Sequence, residues 1–161
     1  MPDVTTLAPE NGNDIILARL YDAPRQMVWD ALVDPEALAL WWAPDGCTIE
    51  TRSADIRPGG IWDFLLKTPE GTVFENRHKY ETLQATDCIV YRQGDRPEDD
   101  NAVRVTITLA AHGDATLLTL RIEFSSNQWR QDLIPRGAIR YPAQSLSHLE
   151  TYLKSKTGSG A

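Results

Sequence analysis

The sequence predicts an α+β domain in which one antiparallel sheet is covered by a long C-terminal helix. Three observations carry this expectation. Apolar residues alternate with period two from about residue 48 to about residue 124, interrupted by turn signals. Two short helix starts, each marked by an acid and a proline, come before that region, and one long helical stripe comes after it. Runs of strands with segregated helices indicate α+β rather than an alternating α/β chain.

The elements follow in order. Residues 1–13 are polar and aperiodic and are expected to be a flexible lead-in. Residues 15–21, Ile-Ile-Leu-Ala-Arg-Leu-Tyr, form the first strand. Asp22-Ala23-Pro24 starts a helix, with Asp22 as the cap and a proline in its first turn. Asp34-Pro35-Glu36 starts a second one, which ends near Trp41-Trp42, before Pro44. Strands are then expected over residues 48–53, 61–67, 72–83, 86–93, 103–109 and 118–124. Pro58-Gly59-Gly60, Thr68-Pro69-Glu70-Gly71 and His112-Gly113-Asp114 supply turns between them. The loop at 94–101 holds the acidic run Glu98-Asp99-Asp100, read as a solvated face. Ile139, Ala143, Leu146, Leu149 and Leu153 share one helix face, and Pro142 must lie in the first turn or kink the helix. Residues 155–161, rich in Gly and Ser, read as a disordered tail. Residues 14–154 therefore make a single domain.

Composition narrows the function classes. The 161-residue chain carries a net charge of −7 and no Lys/Arg cluster, which argues against a polyanionic partner such as nucleic acid. The start of the chain lacks the basic and apolar runs of a signal peptide, and no apolar stretch approaches the ~20 residues of a membrane span. A cytoplasmic protein that neither spans nor binds membranes is expected. The two cysteines, Cys47 and Cys88, show no C-x-x-C spacing and read as small apolar side chains. No zinc spacing, P-loop or nucleophile elbow occurs. Neither a metal nor a cofactor is expected, and no residue is assigned as catalytic. Of the three histidines, His112 falls in a turn and His148 on an exposed helix flank.

Several blocks of residues resemble one family. They are Arg19-Leu20-Tyr21-Asp22-Ala23-Pro24, Val28-Trp29-Asp30-Ala31-Leu32, Asp34-Pro35 and Trp41-Trp42-Ala43-Pro44. The likeness continues through Asp55-Ile56-Arg57-Pro58-Gly59-Gly60-Ile61-Trp62, the glycine-bearing hairpin and Leu146, Leu149 and Tyr152-Leu153. Together they resemble the START-like, or SRPBCC, superfamily, and most of all its branch of heat-shock-protein-90 ATPase activator homologues. The resemblance spans residues 14–154. It departs at Tyr141-Pro142, where the family usually has a glycine–tryptophan pair. It implies a helix-grip fold: a curved antiparallel sheet of about seven strands wrapped round the C-terminal helix, two short helices after the first strand, and a cavity between sheet and helix. It implies no single function, so function rests on the site.

Parity along the strands names the expected cavity walls. Trp62 and Phe64 share one face of their strand with Leu66. Phe74, Asn76, His78 and Tyr80 share one face of the next, and Glu75, Arg77, Lys79 and Glu81 take the solvent side. Two aromatics, an amide and an imidazole on an inner face have the composition of a ligand pocket. Trp41 and Trp42 are expected to wall one end, and Trp129 and Ile134 the other. The expected function is a binding module for a small hydrophobic or aromatic molecule, acting as a monomer or homodimer. Two alternatives follow from the resemblance. One is an activator of a chaperone ATPase in a stress response, with the chaperone as partner. The other is a cyclase or aromatase, with His78 as acid–base group and Asn76 or Tyr80 positioning a carbonyl.

Overall fold

The computed structural model describes residues 4–94 and 102–158. Strands β1 (Thr5–Leu7) and β2 (Asp14–Tyr21) come first. Helices α1 (Arg25–Val33) and α2 (Pro35–Trp41) follow. Next come β3 (Thr48–Ala54), β4 (Ile61–Lys67), β5 (Val73–Gln84), β6 (Cys88–Gly94), β7 (Val103–His112) and β8 (Ala115–Glu123). Helix α3 (Asn127–Leu133), a 3-10 turn (Ile134–Arg136) and α4 (Arg140–Gly158) complete the chain. All strands lie in one open, curved antiparallel sheet in the order β1-β2-β8-β7-β6-β5-β4-β3. The α+β reading and its two short helices therefore hold.

The sheet has eight strands rather than about seven, because Thr5–Leu7, within the expected lead-in, forms an additional strand. Thr5–Leu7 pairs with residues 16–18 and covers the open edge of β2. The following residues are held from the other side. Arg130, fully buried, donates to the carbonyls of Pro9, Glu10 and Asp14, and Asn127 donates to those of Glu10 and Gly12. At the other end α4 continues to Gly158, past the expected start of a tail at 155. The acidic run 98–100 lies outside the described residues.

Two helix starts and one missed helix show how local chemistry acts. Asp34 caps α2 through the Glu36 amide at 3.0 Å, with Pro35 in the first turn, as its sequence suggests. Helix α1 instead starts on Pro24, whose carbonyl accepts from Met27 and Val28, so Asp22 is not its cap. Helix α3 is capped by Ser126, whose hydroxyl accepts from the Trp129 amide at 3.1 Å. Pro142 sits within the first turn of α4, where its missing N–H costs no hydrogen bond.

The core lies between the concave sheet face and the helices. Ile15 and Leu17 from β2, Val105 and Ile107 from β7, and Leu118 and Leu120 from β8 meet Leu146, Leu149 and Leu153 of α4. Polar bolts fix the helix against the sheet. Tyr21 donates from Oη to the Leu146 carbonyl at 2.6 Å, and Arg19 reaches Ser147 at 2.9 Å and Glu150 at 2.8 Å. The sheet bends where β5 carries a bulge between Tyr80 and Thr82. The turn before β4 depends on glycine: a Cβ on Gly60 would stand 2.0 Å from the Asp55 carbonyl oxygen. That turn extends the β4–β5 pairing through Gly59 N–H to Tyr80 O and Tyr80 N–H to Gly60 O.

Candidate functional site: a cavity under the start of α4

A cavity of about 330 Å³ lies between the sheet and the start of α4. Its floor comes from alternate residues of adjacent strands. Phe64 and Asn76 are cross-strand partners, as are Gln93 and Val103, and Tyr91, Val105 and Ile122 form one row across β6, β7 and β8. Its roof is Leu133, the turn at Arg136, Gly137 and Ala138, and Tyr141, Pro142 and Ser145 of α4. Trp42 and Pro44 form the end wall.

Helix α4 also positions that end wall. Ser145 donates to the Trp42 carbonyl, and the Gln144 side chain accepts from the Asp45 amide at 3.0 Å. His148 donates from Nδ1 to the Ala43 carbonyl at 2.8 Å, while its Nε2 stands 2.6 Å from an Asp45 carboxylate oxygen. His148 is therefore a half-buried tie between α4 and the segment after α2, not an exposed flank residue. The sequence concealed this because Asp45 and Ala43 are a hundred residues away along the chain.

The expected site residues separate into three groups. Trp42, Phe64 and Asn76 line the cavity. Trp62, His78 and Tyr80 face the same way but are buried in an aromatic cluster and do not line it. The Trp62 ring stacks on Phe64 at 3.9 Å, and His78 stacks on Tyr91 at 4.2 Å with Trp42, Trp62 and Phe64 set edge-on around it. The third group stands apart. Trp41 is core, its indole donating to the Ala31 carbonyl at 2.9 Å. Trp129 packs edge-on against Phe124 at 5.4 Å, and Ile134 is half-buried against the core without lining the cavity. Phe74 shares the inner face of β5 but is 51% exposed, because β4 and β5 outrun the helical cover there. It borders a shallow groove with Leu66, Val73 and Asn76.

Burial dominates the electrostatics. His78 is 2% exposed, and desolvation of the charged ring lowers its pKa from 6.5 to about 3. Its Nε2 has no hydrogen-bond partner among the described residues. The ring is therefore held neutral, and it is not among the residues that line the cavity. Burial likewise raises the Tyr91 phenol well above its usual range, with Tyr80 adding to the effect, and the Tyr91 hydroxyl is buried without a partner among the described residues. No group of three or more His, Cys, Asp or Glu side chains among the described residues is arranged to hold a metal. No described helix is long and apolar enough to cross a membrane.

Residues from β6 to α4 that line the cavity were not singled out by sequence. Tyr91 and Gln93 alternate with Arg92 and were open to the same parity argument as β5. Arg136 and Ser145 carry no such signal, because they reach the cavity only through the packing of the 3-10 turn and α4.

Solved structures share this architecture. A Nitrosomonas europaea protein superposes with a TM-score of 0.83 at 22% identity, covering 94% of this chain and 99% of its own. A Mycobacterium smegmatis protein gives 0.85 at 19% identity, covering 95% and 99%. An Arthrobacter aurescens protein gives 0.86 at 20% identity, covering 94% and 91%. At these identities the likeness concerns the fold alone. No curated protein matches the chain. Residues 22–154 match the family described as "Activator of Hsp90 ATPase homolog 1-like protein", a span that takes in α1, the cavity and nearly all of α4. The chain therefore belongs to that family, a branch of the START-like superfamily.

Proposed function

We propose that this domain binds a small, largely apolar or aromatic molecule in the cavity under α4. One observation carries the reading. An interior packed at ordinary density leaves few voids larger than a water, whereas this one holds about 330 Å³ behind aromatic and aliphatic walls. A few polar groups, among them Asn76, Gln93 and Ser145, interrupt those walls, which is how small-molecule sites orient their ligands. A volume at the lower end of the usual range favours a mono- or bicyclic body over a long-chain lipid.

The test is a panel of neutral aromatic and aliphatic molecules, read by melting temperature and by amide shifts in a two-dimensional NMR spectrum. Binding should raise the melting temperature and move the resonances of Trp42, Tyr91 and Ala138. Val103→Trp, which places an indole at the cavity from a half-buried position, should abolish both effects and leave cooperative unfolding intact. If no panel member moves those resonances, the reading is wrong.

A further inference from the structure

We propose that the natural occupant is a small amphipathic anion, an apolar body bearing one carboxylate that pairs with Arg136. This rests on the binding reading above and narrows its ligand class.

The distribution of charge points there. The chain carries 23 acidic side chains against 16 basic ones. The cavity lining inverts that balance: it has no carboxylate, and Arg136 is its one charged residue among the described residues. Other arginines are engaged. Arg19, Arg52, Arg57 and Arg121 pair with carboxylates, and Arg130 is taken up by backbone carbonyls. Arg140 lies 4.9 Å over the Tyr141 ring and donates to its hydroxyl at 3.2 Å. Among the described residues no carboxylate or other acceptor engages the Arg136 guanidinium.

The position of Arg136 is built into the backbone. Gly137 follows it at φ +108°, and a Cβ there would stand 2.3 Å from the Tyr141 ring. Glycine thus lets the 3-10 turn pack directly on the first turn of α4, which places Arg136 and Tyr141 together at the exposed side of the cavity. Phe64, Tyr91 and Leu120 line the buried side and offer contact to an apolar body. A guanidinium fork matches a carboxylate through two parallel hydrogen bonds.

The test is calorimetric titration of the full chain with 2-naphthoate and decanoate and with their neutral amides, on wild type and Arg136→Gln. The side chain is exposed, so the variant should keep the wild-type melting temperature. Wild type should bind at least one acid about tenfold more tightly than its amide, the loss expected for one charge-assisted contact. High salt should shrink that preference. Arg136→Gln should remove the preference and leave amide affinity unchanged. Equal affinity of acid and amide for wild type, or a preference that survives in Arg136→Gln, overturns the anion assignment while leaving apolar binding intact. Binding of neither acid nor amide, together with silence of the neutral panel, overturns both readings.

Discussion

Replacing His78 with phenylalanine should flatten the loss of stability that this protein suffers in mild acid. The folded state excludes a proton from His78 down to about pH 3, because the ring is buried among Trp42, Trp62, Phe64 and Tyr91. The unfolded chain takes up that proton near 6.5. Between those values the unfolded state binds more protons, so stability falls as pH falls, at up to about 1.4 kcal/mol per pH unit. From pH 7 to pH 5 the loss from this one group is about 2 kcal/mol. In a chain of this size that lowers the melting temperature by about 4–8 °C. Phenylalanine fills the same cage with an aromatic ring that cannot titrate. Its packing changes shift the whole curve by a constant, so the informative quantity is the difference between wild type and variant as a function of pH. Urea unfolding of both proteins at pH 7, 6 and 5 measures it. The difference should move by about 2 kcal/mol in favour of the variant. Parallel curves would refute the reasoning, and would mean that the folded protein admits a proton at His78.

Two further outcomes follow from contacts elsewhere. Glu150→Gln should destabilise the domain by about 2 kcal/mol, because it weakens a charge-assisted contact to the buried Arg19. Burial opposes ionisation of Glu150, but Arg19, aided by Lys154, outweighs it and holds the carboxyl below its usual range. Its contribution is thus complete above the ordinary carboxylate range and lost as pH falls through the folded-state value, so the variant should lose less stability than wild type on acidification, as read by thermal melts. Gly60→Ala should cost roughly 2 kcal/mol or more, since its Cβ collides with the Asp55 backbone and the turn must open. Hydrogen exchange should then show faster opening of the Tyr80 amide, which donates to Gly60.

What could be read from the chain alone was whatever recurs with a local period or sits beside its own cause. Alternation revealed the inner faces of β4 and β5, and Asp34-Pro35 announced α2, because backbone geometry and capping act within a few residues. The family's sequence blocks anticipated the overall architecture. Parity, however, reports only which face a side chain takes. It placed Phe64, Asn76, His78 and Phe74 on one surface without telling which meet a void, which are packed solid and which lie beyond the helix. Phe74 is exposed because its strand outruns its cover, and His78 is buried because Tyr91 from the next strand stacks on it.

The closure of the N-terminal segment against β2 and Arg130, the tie from His148 to Asp45 and the arrival of Arg136 beside Tyr141 were decided only by tertiary packing. Each joins residues remote in sequence or depends on how one element docks on another, and no local pattern records that docking. Sequence by itself thus determined an α+β grip of sheet on helix with an apolar interior. The assembled chain decided that this interior holds a cavity, that its walls come from five strands' worth of neighbours and the start of α4, and that its one charge among the described residues is a cation. The physical reason is that a cavity is a failure of distant surfaces to fill the space between them, a property of their docking and not of any single segment.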